Sequence, residues 1–397
     1  MRLTYEELED VKQKYGVNQL WSFSKFDAYR TSQFEWMLKY IKHLPENNEK
    51  QSAYATLGGA VHDVIEKLYN GQIQYEDMLD EFNDVWTTNI EIADLVFDRT
   101  DSIKNENIKD KYYKDLVHFF QNYQQLPYKM QNEQFLTIKI TDDIVFQGYA
   151  DAIYKDDDGV FTIVDYKTST KYSGKAIKEH AAQLILYSEA LRQLGIPKDK
   201  IQCCWNFLKY VNIDCEQVNG KIKTRTIERY EIGKALQSSV KVWLKKLGYE
   251  EQMIEYLESL AQSNDISVLP EEVQKKYILH DCYVYVDDIW SDFENLKEEI
   301  IEIITEINKK SNRYKELIEI GNIEEAEKLF WDSEDSLKTQ AYYYNNLCGY
   351  NIPTIKPYKQ YLDRLNAENN GGIFTNKKCE ESGEEYAEDD LSWLNEL

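Results

Sequence analysis

The chain has 397 residues and a formal net charge of −24, which argues against a uniformly basic nucleic-acid binder but leaves room for a local basic channel. The hydrophobic fraction of 42% is typical of a globular protein, and the length allows two or three domains or one elaborated domain. No apolar run reaches transmembrane length and the N-terminus has no apolar signal core, so we expect a cytoplasmic protein without a membrane partner.

The N-terminal part of the chain is predicted to be helical. Thr4 and Glu7 form a T-x-x-E capping box, which begins a short helix. The segment WSFSKFDAYRTSQFEWMLKYIKHL has helical apolar spacing. In TLGGAVHDVIEKLYNG, the chain is expected to enter a helix through Gly58 and Gly59 and to leave it at Gly71. The helical pattern then continues as far as KDLVHFFQNYQQL.

Short β-rich runs follow, namely EQFLTIKI, IVFQGYADAIY and VFTIVDYK. The sequence DDDG at residues 156–159 is a strong turn signal between the second and third runs. A helix that ends at Gly195, with Pro197 just beyond it, leads to another strand, IQCCWNFLKYV. The order strand, helix, strand predicts a crossover onto a parallel neighbour. We therefore expect an α/β fold with a mixed central β-sheet that is flanked by helices.

After KTRTIERYEIG the chain is predicted to return to helix. An S-x-x-E box at Ser291 and Glu294 begins a long amphipathic helix, whose apolar stripe favours packing on the core over a coiled coil. From Asn366 onward the chain is polar and acidic, which predicts disorder. The apolar residues at its end suit docking onto a helicase or an annealing protein, although a solvating tail explains the same composition.

These patterns divide the chain into four predicted parts. Residues 1–130 form an N-terminal helical part, and residues 131–215 form the central α/β core. Residues 216–365 contribute a strand and C-terminal helices that pack on the core, and residues 366–397 are the acidic tail.

Two aspartates and a lysine are predicted to share one face of the sheet. If the turn centres on Asp158, Asp151 faces Asp165 across an antiparallel pair, with the side chains roughly 5 Å apart. Lys167 lies two residues after Asp165 and therefore shares its face. A slip of the register by one residue would send the two acids to opposite faces.

Such a group of side chains suits phosphodiester hydrolysis. Two carboxylates this close repel each other, and a divalent cation removes the repulsion. Mg²⁺ prefers one or two carboxylates together with water and phosphate oxygens. A neighbouring lysine can orient or deprotonate water, or stabilise charge on the phosphate. An exposed ion pair at a strand end also explains Asp165 and Lys167.

Five short motifs follow one another along residues 20–215. The first two are S-x-S-x-x-x-x-Y, with Ser22, Ser24 and Tyr29, and G-x-x-x-H, with Gly58 and His62. The next two are G-x-x-D, with Gly148 and Asp151, and D-Y-K-T, at residues 165–168. The last is Q-x-x-x-Y, with Gln183 and Tyr187. In this order they resemble the RecB-type branch of the PD-(D/E)XK nucleases, which includes nuclease domains of recombination helicases, CRISPR-associated nucleases and many phage exonucleases. The resemblance implies a restriction-endonuclease-like sheet with N-terminal and C-terminal helical elaborations.

The resemblance also implies roles for the residues around the predicted hairpin. Asp151 and Asp165 would bind Mg²⁺ or Mn²⁺, and the backbone carbonyl of Tyr166 would be a further ligand. Lys167 would be the catalytic lysine.

Other positions would complete the site. His62 would bind a metal from its helix, although a lone histidine in an apolar helix is more often a core residue. Gln183 and Tyr187 share one helix face and would help to place the lysine and the scissile phosphate. Glu133 is a candidate metal ligand or a simple surface glutamate, and Glu66 is a weaker candidate.

The cysteines predict neither a disulfide framework nor a structural zinc site, because none of the six forms a C-x-x-C pair. Many members of the branch hold an iron–sulfur cluster with one cysteine in the N-terminal helix and three near the C-terminus. Here Ser32 occupies the first position and only Cys348 remains in the C-terminal segment YYYNNLCGYNIPTIKPY, so no cluster is expected. Aromatic residues near 342–344 and the long C-terminal helices are expected to replace it as a clamp.

The sequence therefore predicts a metal-dependent DNA nuclease, with an exonuclease of recombination, repair or phage DNA metabolism as the leading interpretation. A catalytically inactive scaffold on the same fold, which binds DNA or protein, is the alternative. An enzyme that acts on RNA or on a nucleotide would use the same chemistry. Candidate DNA-contacting residues are Lys25, Arg30, Lys171, Lys175 and Lys178, although an ordinary solvated side chain is the more common role of such residues.

Overall fold

The computed structural model describes residues 3–46, 53–333 and 341–350, so the predicted acidic tail lies outside the described residues. Within those ranges, six strands form one sheet. They are β1 (Met130–Lys139), β2 (Val145–Lys155), β3 (Phe161–Lys167), β4 (Ile201–Glu216), β5 (Ile222–Glu228) and β6 (Tyr277–Tyr285).

The sheet is mixed, as the sequence predicts. Strands β1, β2 and β3 form an antiparallel meander, and β3 pairs with β4 in parallel. Strands β5 and β6 both pair with β4 in antiparallel fashion, and the pairing with β6 shifts register between Asn206 and Val211. Strand β6 differs from expectation, because the sequence pattern predicts helix throughout this part of the chain.

Helices of the N-terminal part precede the sheet. They are α1 (Tyr5–Tyr15), α2 (Phe23–Thr31), α3 (Gln33–Tyr40), α4 (Ala53–Tyr69), α5 (Met78–Trp86) and α6 (Ser102–Gln121). The predicted capping box at Thr4 and Glu7 is confirmed. Gly58 and Gly59 lie inside α4 rather than before it, whereas Gly71 follows its end with a φ of 67°.

The remaining helices follow β3, β5 and β6. They are α7 (Lys175–His180), α8 (Ala182–Gln193), α9 (Ile232–Lys246), α10 (Met253–Ser263), α11 (Glu271–Gln274), α12 (Ile289–Glu319), α13 (Ile323–Lys328) and α14 (Ala341–Asn346). The helix expected before Gly195 is therefore two helices. The predicted start at Ser291 is wrong by one turn, since Asp288 precedes the helix and Ile289 begins it.

Both faces of the sheet are covered by helices. On one face, α2, α3, α8 and α12 contribute to a core cluster that includes Ile163. On the other, α4, α5 and α6 contribute to a cluster that includes the next residue, Val164. This alternation explains why β3 is apolar on both sides. No described helix has the length and apolar character that a membrane crossing requires.

The C-terminal segment is joined to the N-terminal helices by hydrogen bonds. The break between α2 and α3 falls at Ser32, whose hydroxyl donates to Asp332 Oδ2 at 2.8 Å. The Tyr344 hydroxyl donates to the same oxygen at 3.1 Å, and the Tyr343 hydroxyl donates to Glu35 Oε2 at 2.5 Å. The two tyrosines and Asp332 therefore connect the C-terminal segment to the region of α2 and α3. The aromatic clamp is predicted at this place.

Candidate active site

His62 reaches the end of β3 from α4. Its Nε2 lies 2.9 Å from the carbonyl oxygen of Tyr166, and its Nδ1 lies 3.5 Å from Asp151 Oδ2. The rings of His62 and Tyr166 meet edge to face with centroids 5.8 Å apart. The imidazole is therefore held between the carboxylate of one strand and the backbone of the next.

Asp151 lies on β2 where the β2–β3 ladder ends. The last pair of that ladder is Ala152 with Val164, and the same register sets Asp151 opposite Asp165, as predicted. Beyond the ladder, the backbone N–H of Tyr166 donates to Asp151 Oδ2 at 2.9 Å. This hydrogen bond fixes the carboxylate next to the carbonyl that contacts His62.

Glu133 joins this group from β1 through an unusual backbone conformation. It falls in the β1–β2 register opposite Asp151, but its φ is +47°, which is uncommon for a residue with a side chain. Strained backbone of this kind clusters at functional sites. Three side chains, those of His62, Glu133 and Asp151, each offer one possible metal-ligand atom. These three atoms lie within 4.8 Å of one another. Glu66 lies outside this cluster and accepts a hydrogen bond from Asn70.

Lys167 and Asp165 form an ion pair at the end of β3. The Nζ of Lys167 lies 2.7 Å from Asp165 Oδ2, and the Asp165 side chain is only 7% exposed. The buried carboxylate is thus balanced by the ammonium group. Asp165 is not one of the three residues of the His62 cluster, although its charge acts on Asp151, as described below.

Gln183 and Tyr187 lie on α8, as expected, and they bind each other. Gln183 Nε2 donates to the Tyr187 hydroxyl at 3.2 Å. The hydroxyl reaches β2 at Gly148, where an added Cβ would lie 2.6 Å from it. The glycine of the G-x-x-D motif therefore makes room for the tyrosine of the Q-x-x-x-Y motif.

The charges of the site shift the pKa values of its groups. Burial raises the pKa of Asp151 to about 6. The charge of His62 opposes this shift, and the charge of Asp165 adds to it. Burial lowers the pKa of Lys167, but the charges of Asp165 and Asp151 outweigh burial and hold it above its ordinary value.

The donor atoms suit a hard divalent cation. Adjacent ligands of an octahedral ion lie about 3 Å apart when each bond is about 2.1 Å long. The 2.9 Å separation of His62 Nε2 and Tyr166 O fits that spacing. Carboxylate oxygens of Asp151 and Glu133 are ligands that Mg²⁺ and Mn²⁺ favour. A cation would also offset the unfavourable charge of the half-buried Asp151.

The basic residues selected from the sequence have different partners. Lys25 lies over the rings of Trp21, Trp36 and Tyr40, and Arg30 pairs with Glu299. Lys171 donates to the Thr226 hydroxyl, Lys175 pairs with Glu179, and Lys178 lies 3.8 Å from Asp292. The last three lysines all lie between the end of β3 and the end of α7.

Two residues of the same segment were not selected from the sequence. Tyr172 and His180 stack on each other, and Tyr172 contacts Trp205 on β4, the strand next to the one that carries Asp165 and Lys167. A tyrosine and a histidine eight residues apart form no motif, and only the fold brings them together.

A model of the PD-(D/E)XK nuclease superfamily matches residues 20–308 of the chain. The match covers α2 to most of α12 and includes every candidate site residue described above. No curated protein matches the chain.

Proposed function

The chain belongs to the PD-(D/E)XK nuclease superfamily, and on this premise we propose that it is a Mg²⁺- or Mn²⁺-dependent deoxyribonuclease of the RecB-type branch. Its proposed reaction is hydrolysis of phosphodiester bonds from the ends of linear DNA, in recombination, repair or phage DNA metabolism. The superfamily itself indicates a metal-dependent nuclease. The finer proposal rests on the ordered motifs and on the arrangement of their side chains.

One observation carries the proposal: residues of β1, β2 and α4 bring a set of candidate metal ligands next to the paired lysine at the end of β3. The set is His62, Glu133, Asp151 and the carbonyl of Tyr166. The lysine is Lys167, held 2.7 Å from Asp165. A structural ion pair alone would explain Asp165 and Lys167, but not a histidine, a strained glutamate and a half-buried aspartate beside them.

The proposed roles follow from these contacts. When bound, the cation activates a water molecule for attack on phosphorus and neutralises charge on the phosphate. Asp151 and Glu133 bind the cation, and Asp165 is proposed as a further carboxylate ligand that also orients Lys167. The ammonium group of Lys167 then stabilises the negative charge that develops on the phosphate.

Gln183 and Tyr187 are proposed to position the substrate side of the site. Their mutual hydrogen bond leaves the Gln183 amide and the Tyr187 hydroxyl with further hydrogen-bonding capacity. Because Tyr187 also abuts Gly148, the pair ties α8 to β2 near Asp151.

A cleavage assay tests the proposal. End-labelled linear, circular and single-stranded DNA, with an RNA strand of the same sequence, are incubated with Mg²⁺, Mn²⁺ or EDTA. We expect metal-dependent loss of linear DNA but not of circular DNA, and no loss with Asp165→Ala or Lys167→Ala. Nicking of circles would indicate an endonuclease, and preference for the RNA strand would overturn the deoxyribonuclease proposal. Binding without cleavage by the wild type would indicate the inactive scaffold.

The acidic tail at residues 366–397 is proposed to recruit a helicase or an annealing protein. This proposal rests on composition alone, since the tail is rich in Glu and Asp and has apolar residues near its end. Removal of residues 366–397 should leave cleavage of short oligonucleotides unchanged and abolish co-purification with such a partner. Co-purification that survives the truncation would contradict it.

A further inference from the structure

Two aromatic rings stack on each other directly after β3. The rings of Tyr172 and His180 are nearly parallel, with an interplanar angle of 16° and centroids 4.1 Å apart. Tyr172 lies in the segment between β3 and α7, and His180 is the last residue of α7. The stack therefore joins the two ends of a short segment that begins at the catalytic strand.

The stack lies beside the candidate reacting groups. In the parallel β3–β4 register, Trp205 is the partner of Asp165 and Phe207 is the partner of Lys167. The Tyr172 ring meets both of these rings edge-on, at 5.1 Å and at angles of 88° and 85°. Tyr172 thus covers the part of β4 that flanks the ion pair.

Exposure increases along this series of rings. Trp205 and Phe207 are buried, Tyr172 is half-buried and His180 is exposed. Core packing accounts for the first three rings, but it does not require a ring at His180. One face of the imidazole covers Tyr172, and His180 is nevertheless exposed.

Two lysines on the same helix as His180 form only weak ion pairs. Lys175 pairs with Glu179 across one helical turn, and both side chains are more than half exposed. Lys178 is 65% exposed and lies 3.8 Å from Asp292. Exposed pairs of this kind contribute little to stability, so a phosphate can replace the carboxylate without great cost. The exposed ring therefore lies in a segment suited to a polyanion.

We propose that His180, stacked on Tyr172, is a platform for one nucleobase of the substrate strand, next to the phosphate bound at Lys167. The proposal rests on the nuclease function and adds the way in which the strand is held. Stacking tolerates any sequence because every base has a π-face, and it requires a base that is not stacked in a duplex. The platform therefore selects a single-stranded or frayed end.

Binding of short single strands tests the platform without any cleavage. With EDTA present, fluorescence anisotropy gives the Kd for a labelled single strand and for strands in which one nucleotide at a time is abasic. His180→Ala should raise the Kd of the intact strand roughly 5- to 150-fold, the range for loss of one base–aromatic stack. His180→Phe keeps a ring and should bind like the wild type.

The abasic strands show whether the ring meets a base. One abasic position should weaken binding to the wild type by about the same factor and should cause no further loss with His180→Ala. His280→Ala, which removes an exposed histidine on β6, is the matched control and should bind every strand like the wild type. Equal melting temperatures of the variants would show that folding is unaffected.

Two results would overturn the proposal. One is an unchanged Kd for His180→Ala. The other is that, for every abasic position, the increase in Kd from His180→Ala and the increase from the missing base multiply, as they would for independent contacts. Neither result depends on catalysis. If the wild type binds single strands through the His180 ring but cleaves no DNA, the platform proposal stands and the nuclease proposal is contradicted.

Discussion

Gly148 leaves the space that the hydroxyl of Tyr187 occupies. A Cβ on Gly148 would lie 2.6 Å from the Tyr187 hydroxyl oxygen and 3.0 Å from the nearest ring carbon. Both distances are shorter than a normal contact, so either the α8 tyrosine or the β2 backbone would have to move. The two motif residues are therefore coupled by packing, although they are 39 positions apart in the chain.

Gly148→Ala should lower cleavage activity because it displaces Tyr187 and its bond to Gln183. We expect overpacking to reduce the free energy of unfolding by about 1–3 kcal/mol and kcat to fall together with it. Chemical denaturation and steady-state kinetics measure the two effects. Gly59→Ala is the matched control, since a Cβ there meets nothing within 4 Å and replaces glycine inside α4. It should increase stability by about 0.5–1 kcal/mol, and a Gly148→Ala variant that behaves like this control would contradict the packing argument.

Asp151 should make the metal-free protein less stable as the pH rises. Its folded-state pKa of about 6 lies above the ordinary aspartate value, so between about pH 4 and pH 6 the folded protein keeps a proton that the unfolded chain releases. The contribution to the free energy of unfolding therefore falls through this window, by on the order of 2 kcal/mol. Asp151→Asn should remove that fall. Urea denaturation in EDTA at several pH values measures it, and identical pH slopes for the two proteins would refute the assignment.

Divalent cations should raise the melting temperature through the His62 cluster. At a concentration of 100 times Kd, binding to the folded state alone adds about 2.7 kcal/mol. Thermal melts with increasing Mn²⁺ should show this stabilisation in the wild type and little of it in His62→Asn, Glu133→Gln or Asp151→Asn. His280→Asn, on β6, should respond like the wild type. A full Mn²⁺ response in all three cluster variants would mean that the cation binds elsewhere.

Lys167 should be needed for cleavage but not for metal binding. Lys167→Ala removes the cation 2.7 Å from Asp165 and leaves a buried carboxylate without its partner, so it should also destabilise the fold. Lys167→Arg keeps the charge and separates the two effects. We expect both variants to lose at least about 100-fold in kcat and to keep the Mn²⁺ response. Near-normal kcat in Lys167→Ala would contradict the catalytic role.

The sequence predicted the hairpin of β2 and β3 well because its signals are local. A turn at residues 156–159 that centres on Asp158 sets Asp151 opposite Asp165, and this is the register of the β2–β3 pair. The start of the helix that carries His62 was predicted wrongly. Gly58 and Gly59 were expected to precede it because of their low helix propensity, but both lie inside α4, several of whose other residues pack in the core.

Long-range contacts explain what the sequence did not predict. Strand β6 forms because β4 provides its pairing partner, with Ile213 opposite Leu279. Its Asp281 is buried against Arg229 Nη2 at 2.8 Å, a pairing that no local pattern indicates. The positive φ of Glu133 likewise has no sequence signal, because glycine is the residue that usually marks such a conformation.

The most direct test of the account is to locate the cation. Crystals grown with Mn²⁺ would be measured near the manganese absorption edge, and the anomalous difference map would show each bound ion. We predict an ion bound by His62, Asp151, Glu133 and the carbonyl oxygen of Tyr166, with Asp165 as a further carboxylate ligand and Lys167 close by. Well-ordered density for these side chains with no anomalous peak between them, or a peak only at another site, would contradict it.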